Sequence, residues 1–95
     1  MTMPEEYAVI KYALIYLNAY ILKYYQASGI RFNCLSLGCI FDFQPESFLQ
    51  KYSSYSQTKG MQDPVDITGA LIFLLSDQSR YINGQNIVVD DGWLK

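Results

Sequence analysis

The order of elements along the chain predicts an α/β protein built on a parallel sheet. Three observations carry this. An apolar, helix-prone stretch covers residues 5–28, a short β-prone run follows at 30–35, and a clearly signalled helix beginning at Asp63 leads into a second β-prone run at 86–89. Two strands joined through a helical crossover pair in parallel, because a tight hairpin can only join antiparallel neighbours. A parallel pair alone is not a finished domain, since parallel sheets need several strands and cover on both faces. The chain therefore reads as the end of something larger.

Each element has its own local reason. Thr2 and Glu5 have capping-box spacing, and Pro4 suits a first helical turn. The helix carries Ala8, Val9, Tyr12, Ala13, Leu14 and further apolar residues on most of its faces, and Gly29 is a natural residue to end it. A helix apolar on most sides is covered on most sides, so it is expected to be buried, with a partner surface or further chain against it. Ile30 to Leu35 is β-prone and ends at Ser36-Leu37-Gly38, where a glycine allows close approach of backbone to a ligand. Residues 39–60 are irregular apart from a short helix from Pro45 to Tyr52, and the polar stretch Ser53–Gly60 is expected to be mobile. Such a segment suggests a functional loop or lid. Asp63-Pro64-Val65-Asp66 signals a helix start with Asp63 as N-cap. Gly69 within that helix suggests close packing against a strand. Asn83-Gly84 signals a turn, Asn86–Val89 a strand, and Asp90-Asp91-Gly92 its end.

Composition narrows the function classes. Ninety-five residues make at most one small domain. A net charge of −2 without a basic block argues against nucleic-acid binding. The absence of histidine removes histidine triads and the usual histidine metal sites, and two cysteines cannot form a four-cysteine zinc site. No metal is expected. Cys34 and Cys39 read as reduced, buried residues, which implies a cytoplasmic setting. Met1 to Glu6 is acidic and carries Pro4, unlike a signal peptide. Lys11, Asn18 and Lys23 interrupt the apolar stretch, so a membrane span is not expected.

Tyr7 and Lys11 carry the candidate chemistry. On a helix, residues four apart share a face. A cation beside a phenol favours its ionised form, and such a pair suits proton exchange with an alcohol or carbonyl while a hydride moves elsewhere. Spacing alone is weak evidence in a chain with nine tyrosines, and Tyr55–Lys59 repeats it. Context separates the copies: Tyr7 lies on the long helix and Tyr55 in the loop.

Taken in order, the motifs resemble the C-terminal part of a short-chain dehydrogenase/reductase, a Rossmann-fold oxidoreductase using NAD or NADP. Tyr7-Ala8-Val9-Ile10-Lys11 matches the family's Y-x-x-x-K. Gly29-Ile30-Arg31-Phe32-Asn33 and Ser36-Leu37-Gly38 match its G-I-R-V-N … S-P-G. Leu74-Leu75-Ser76-Asp77, Tyr81-Ile82-Asn83-Gly84-Gln85 and Val89-Asp90-Asp91-Gly92 follow in its order. The resemblance implies the C-terminal part of a doubly wound parallel sheet, with residues 1–95 a fragment and the dinucleotide-binding N-terminal half absent. It makes Tyr7 the catalytic acid/base. Lys11 eases loss of its proton and holds the nicotinamide ribose. The turn at Leu37, Gly38 and Ile40 packs on nicotinamide, with the Ile40 backbone on the carboxamide, and residues 43–60 form the substrate loop. Gln44-Pro45-Glu46 and Thr58-Lys59-Gly60-Met61 resemble a subgroup assigned to making sugars for flagellar glycans, implying a small sugar-type substrate.

Three departures stand out. Leu37 replaces the family's proline, which puts the turn's rigidity in question. Asp42 replaces a threonine and would repel a pyrophosphate. Asp91 replaces the second glycine of V-D-G-G. There is no glycine-rich phosphate loop, so the chain by itself is expected to be inactive. The alternative reading is a non-catalytic association module, pairing as a homo-oligomer through the helix at 5–28.

Overall fold

The computed structural model describes residues 4–93, so Thr2 and the capping box it would form lie outside the described residues. Helix α1 spans Glu5–Ile21 and tightens into a 3₁₀ turn at Leu22–Tyr25. Pro4 stands at its N-cap, and Glu5 and Glu6 face the positive end of the helix dipole. The helix stops short of residue 28 because the chain reverses there. Ser28 closes on the Tyr25 carbonyl through its N–H at 3.1 Å and its hydroxyl at 2.6 Å. Ala27 and Gly29 both take positive φ. The Tyr25 ring packs 5.0 Å from Phe32, and the Asn18 amide donates to the Phe32 carbonyl at 3.0 Å.

Strand β1 spans Cys34–Leu37 and strand β2 spans Asn86–Val89. They pair in parallel from Cys34 opposite Asn86 to Leu37 opposite Val89, the architecture of an α/β sheet. The strand expected at 30–35 begins later because the preceding backbone bonds elsewhere. Phe32 N–H donates to the Asn83 side chain at 2.9 Å, and Gly84 N–H to the Phe32 carbonyl at 2.7 Å. Asn33 donates to the Ile82 carbonyl at 2.9 Å and accepts from Gln85 N–H at 3.0 Å.

Helix α2 covers Glu46–Ser53 and α3 covers Val65–Leu75, followed by a 3₁₀ turn at Asp77–Ser79. Pro64, rather than Asp63, occupies the N-cap of α3, and no side chain caps it. Asp63 instead donates its N–H to the Asp66 carboxylate at 2.7 Å, which holds the chain just before the helix against its first turn. Arg31 closes the other end of α3. Its guanidinium donates to the carbonyls of Leu74, Ser76, Ser79 and Ile82 at 2.8, 3.3, 2.8 and 3.1 Å. A cation there answers the unpaired carbonyls and the negative end of the dipole. Gly69 has open space around it, with nothing within 4 Å of where a Cβ would sit, so it marks no close packing within this chain.

The core is small and sits away from α1. Tyr52 is the most deeply buried apolar residue described, at 3% exposure. Its ring stacks on Trp93 at 5.4 Å and on Phe48 at 6.4 Å. Helix α1, expected to be buried, has no buried residue; Val9 is 69% and Tyr12 75% exposed. On α3, Leu75 is 77% exposed. The accessible surface of 7362 Å² exceeds the roughly 5,600 Å² of a compact monomer of this mass. The radius of gyration, 15.5 Å, likewise exceeds the ~12 Å of a compact chain of this length. The cover that the apolar pattern requires is not supplied by the described residues. Among the described residues no helix is long and apolar enough to cross a membrane.

Candidate active site

Tyr7 and Lys11 share a face of α1, with the Lys11 ammonium 5.4 Å from the Tyr7 ring centre. Two contacts fix how α1 lies on β1. The Cys34 thiol approaches the Leu14 carbonyl at 3.9 Å, and Asn18 reaches Phe32. The helix number rises as the strand number falls, so the two run antiparallel. From Leu14 back to Tyr7 is ~10 Å of helix, and from Cys34 on to Leu37 is ~10 Å of strand. Tyr7, Lys11 and the turn after β1 therefore lie toward the same end of the sheet, the carboxyl end of β1. Ligands of open α/β sheets bind outside that end. Among the described residues no hydrogen bond joins Tyr7 or Lys11 to Leu37, Gly38 or Ile40. Two concavities of the surface lie away from that end, one around Leu22, Gly29 and Asn83 and an apolar trough along α1 from Ile10 to Tyr20.

The turn lacks the family's proline but is held by hydrogen bonds. Gly38 N–H donates to the Val89 carbonyl at 2.9 Å. Cys39 N–H donates to the Tyr52 hydroxyl at 2.9 Å. Beyond it, Gln62 N–H donates to the Cys39 carbonyl at 3.0 Å and Phe41 N–H to the Gln62 carbonyl at 2.6 Å, a parallel bridge across Ile40. This leaves Ile40 N–H unpartnered among the described residues. Gly38 is tightly enclosed: a Cβ there would lie 2.8 Å from the Tyr52 hydroxyl oxygen and 3.1 Å from Asp90 Cα. Burial pushes the Tyr52 phenol above its ordinary range, against the Cys39 N–H, which favours the ionised form.

The loop after the turn is tied down where the polar composition predicts mobility. Asp91 Oδ2 accepts from the N–H groups of Thr58, Lys59 and Gly60 at 2.9, 2.7 and 3.3 Å. Asp91 Oδ1 accepts from the Thr58 hydroxyl at 2.6 Å. The Thr58 hydroxyl, then the N–H groups, hold the Asp91 carboxyl far below the usual carboxylate range. The Lys59 ammonium pairs with Asp66 and, at 3.4 Å, with Asp63. That pairing raises Lys59 and lowers Asp66, each chiefly through their mutual hydrogen bond.

The same geometry separates the two Y-x-x-x-K copies. Tyr55 lies in the turn after α2 with its ring 5.5 Å from Trp93, while Lys59 faces Asp63 and Asp66. They do not share a helix face. Both cysteines are free, but Cys34 is only half-buried and Cys39 is exposed, contrary to the expectation of burial. Among the described residues no cluster of His, Cys, Asp or Glu could hold a metal.

Sequence reasoning missed Tyr52, Gln62 and the tether at Asp91. Tyr52 sits in an unremarkable amphipathic octapeptide, and its role depends on Cys39 and Trp93. The only local hint at Asp91 was its place where the family has glycine.

Residues 1–94 match the family model described as enoyl-(acyl carrier protein) reductase. The chain is 48% identical to the post-translational flagellin modification protein A of Campylobacter coli, over 98% of this chain and 36% of that protein. A crystal structure of a short-chain dehydrogenase from Leptospira borgpetersenii with bound NAD+ superposes with a TM-score of 0.93 and 37% identity, covering 99% of this chain and 37% of that one. A 4-hydroxyisoleucine dehydrogenase complexed with NADH and succinate superposes with a TM-score of 0.85 and 33% identity, covering 98% of this chain and 40% of the other. The chain thus spans little more than a third of the length of these relatives. Its fold is that of part of their Rossmann-type sheet.

Proposed function

The chain belongs to the short-chain dehydrogenase/reductase family, and we propose that it supplies the acid/base pair and the nicotinamide-side turn of an NAD(P)-dependent oxidoreductase. In this reading it corresponds to the C-terminal part of such an enzyme. The observation that carries it is the Tyr7–Lys11 pair on one face of α1, directed to the same end of the sheet as the Leu37–Ile40 turn.

The residues fit the nicotinamide end of a dinucleotide. The unpartnered Ile40 N–H suits a carboxamide oxygen, and Gly38 lets the turn pack closely on Tyr52 and Asp90 behind it. Lys11 would hold the ribose. The pyrophosphate end finds no such fit, since Asp42 is an exposed acid and the sequence carries no glycine-rich phosphate loop. The nucleotide, when bound, supplies or accepts the hydride. Tyr7 gives or takes the proton at the substrate oxygen, and the Lys11 ammonium stabilises the charge left on the phenol oxygen. The α2 segment, anchored through Tyr52 to the turn, would lie over the substrate.

The substrate we propose is a sugar-derived alcohol or ketone, in cytoplasmic synthesis of a flagellin glycan. The 48% identity to the Campylobacter coli flagellin modification protein supports this. A second reading, association through α1, rests on that helix's exposed apolar faces and is compatible with the first.

Steady-state kinetics on the complete oxidoreductase test the assignment. Tyr7→Phe is expected to lower kcat by ~100-fold or more with an unchanged far-UV CD spectrum, because it removes the acid/base group. Tyr55→Phe is expected to leave kcat nearly unchanged. A comparable or larger loss at Tyr55 would sink the proposal.

A further inference from the structure

We propose that Asp91 is a positioning residue, a latch whose carboxylate fixes the 57–60 end of the loop to the turn after β2. The inference rests on the reading of residues 43–60 as the substrate loop.

The carboxylate uses both oxygens. Three consecutive N–H groups, from Thr58, Lys59 and Gly60, converge on Oδ2, and the Thr58 hydroxyl takes Oδ1. The Asp91 main chain joins in, its carbonyl accepting from Gln57 N–H at 3.1 Å. Consecutive amides turned to one acceptor fix the backbone dihedrals between them, so this is a stronger constraint than one side-chain contact. The residue sits at φ 57°, the left-handed region that glycine enters more easily. A glycine would satisfy that backbone and lose the carboxylate. The aspartate is therefore explained by what its side chain holds.

Packing next to the latch is equally close. A Cβ at Gly92 would lie 2.8 Å from Gln57 Cγ, and one at Gly60 would lie 2.8 Å from Ser53 Oγ. From the opposite side Lys59 is drawn to Asp66 and Asp63 at the start of α3. The loop end is thus pinned between the turn after β2 and α3. Tyr52 pins the end of α2 to the Leu37–Ile40 turn. The stretch from Asp42 to Lys51 has only local hydrogen bonds among the described residues, and Phe43 within it is exposed. The latch thus fixes one end of the loop while that stretch is held only locally.

Amide hydrogen exchange on the full chain tests the latch directly. In Asp91→Gly, which keeps the backbone conformation accessible, the amides of Thr58, Lys59 and Gly60 should exchange about tenfold faster or more, while those of Cys34 and Gly38 keep their rates. Asp91→Asn keeps one acceptor oxygen and should fall between. Should the glycine variant fail to fold, Asp91→Asn and Thr58→Val, which deletes only the hydroxyl donor, carry the test. Unchanged exchange at residues 58–60 in the folded variants would overturn the proposal. In the complete oxidoreductase, Asp91→Gly should raise KM for the alcohol or ketone several-fold more than it lowers kcat. Faster exchange with an unaltered KM would overturn the positioning role. A complete protein without oxidoreductase activity would sink the functional reading, and the exchange rates would still decide the latch.

Discussion

Replacing Gly38 by alanine puts a methyl carbon 2.8 Å from the Tyr52 hydroxyl oxygen and 3.1 Å from Asp90 Cα. The first contact is too short to persist, and the second is with backbone that can give only slightly. Tyr52 is 3% exposed and stacked against Trp93, so its ring has little room to retreat. Overpacking of this kind costs about 1–3 kcal/mol. Tyr52→Phe has a different cost: it removes the acceptor of Cys39 N–H, about 1 kcal/mol. The two changes are coupled, because the phenylalanine deletes the very oxygen that the new methyl strikes. Of the three nearest contacts, the double variant keeps the two with Asp90, at 3.1 and 3.2 Å. It should therefore be less destabilised than the sum of the single variants by about 1 kcal/mol, beyond the ~0.5 kcal/mol scatter of independent sites. Urea unfolding followed through Trp93, the only tryptophan and a neighbour of Tyr52, measures all four corners of the cycle. Additivity within that scatter, or a neutral Gly38→Ala, would refute the reasoning that turn and loop form one packed unit.

Two other outcomes follow from the same structure. Arg31→Met should lower the unfolding free energy by about 2–3 kcal/mol, because it strips the carbonyls at the end of α3 of a charged donor, and Arg31→Lys should recover only part of this; thermal unfolding of both variants measures it. The 95-residue chain should associate at low micromolar concentration through the apolar faces of α1, where Val9, Ile10, Tyr12 and Tyr16 are 69%, 60%, 75% and 72% exposed; a monodisperse monomer in light scattering would remove that argument.

The parallel α/β order was legible because its signals are local. Pro45 and the Asp63-Pro64 pair announce helices within a turn of where they begin, and Asn83-Gly84 places a turn just ahead of Asn86–Val89. The Tyr7–Lys11 pairing was legible for the same reason, since helix geometry alone sets an i, i+4 neighbour. Helix α1 was overread past Ile21 because Leu22, Lys23, Gln26 and Ala27 have ordinary helix propensity. What stops it is the docking of Asn18 and Tyr25 on Phe32. The two Y-x-x-x-K copies are identical in spacing, but their surroundings in the sequence already set Tyr7 on the long helix and Tyr55 in the loop, and the fold has them so. Arg31 lies 43 to 51 residues from the carbonyls it caps, and Asp91 lies 31 to 33 residues from the amides it holds. No local propensity encodes such partners. They become neighbours only when β1 pairs with β2, and that pairing decides which of the chain's polar residues are solvated and which hold the site together.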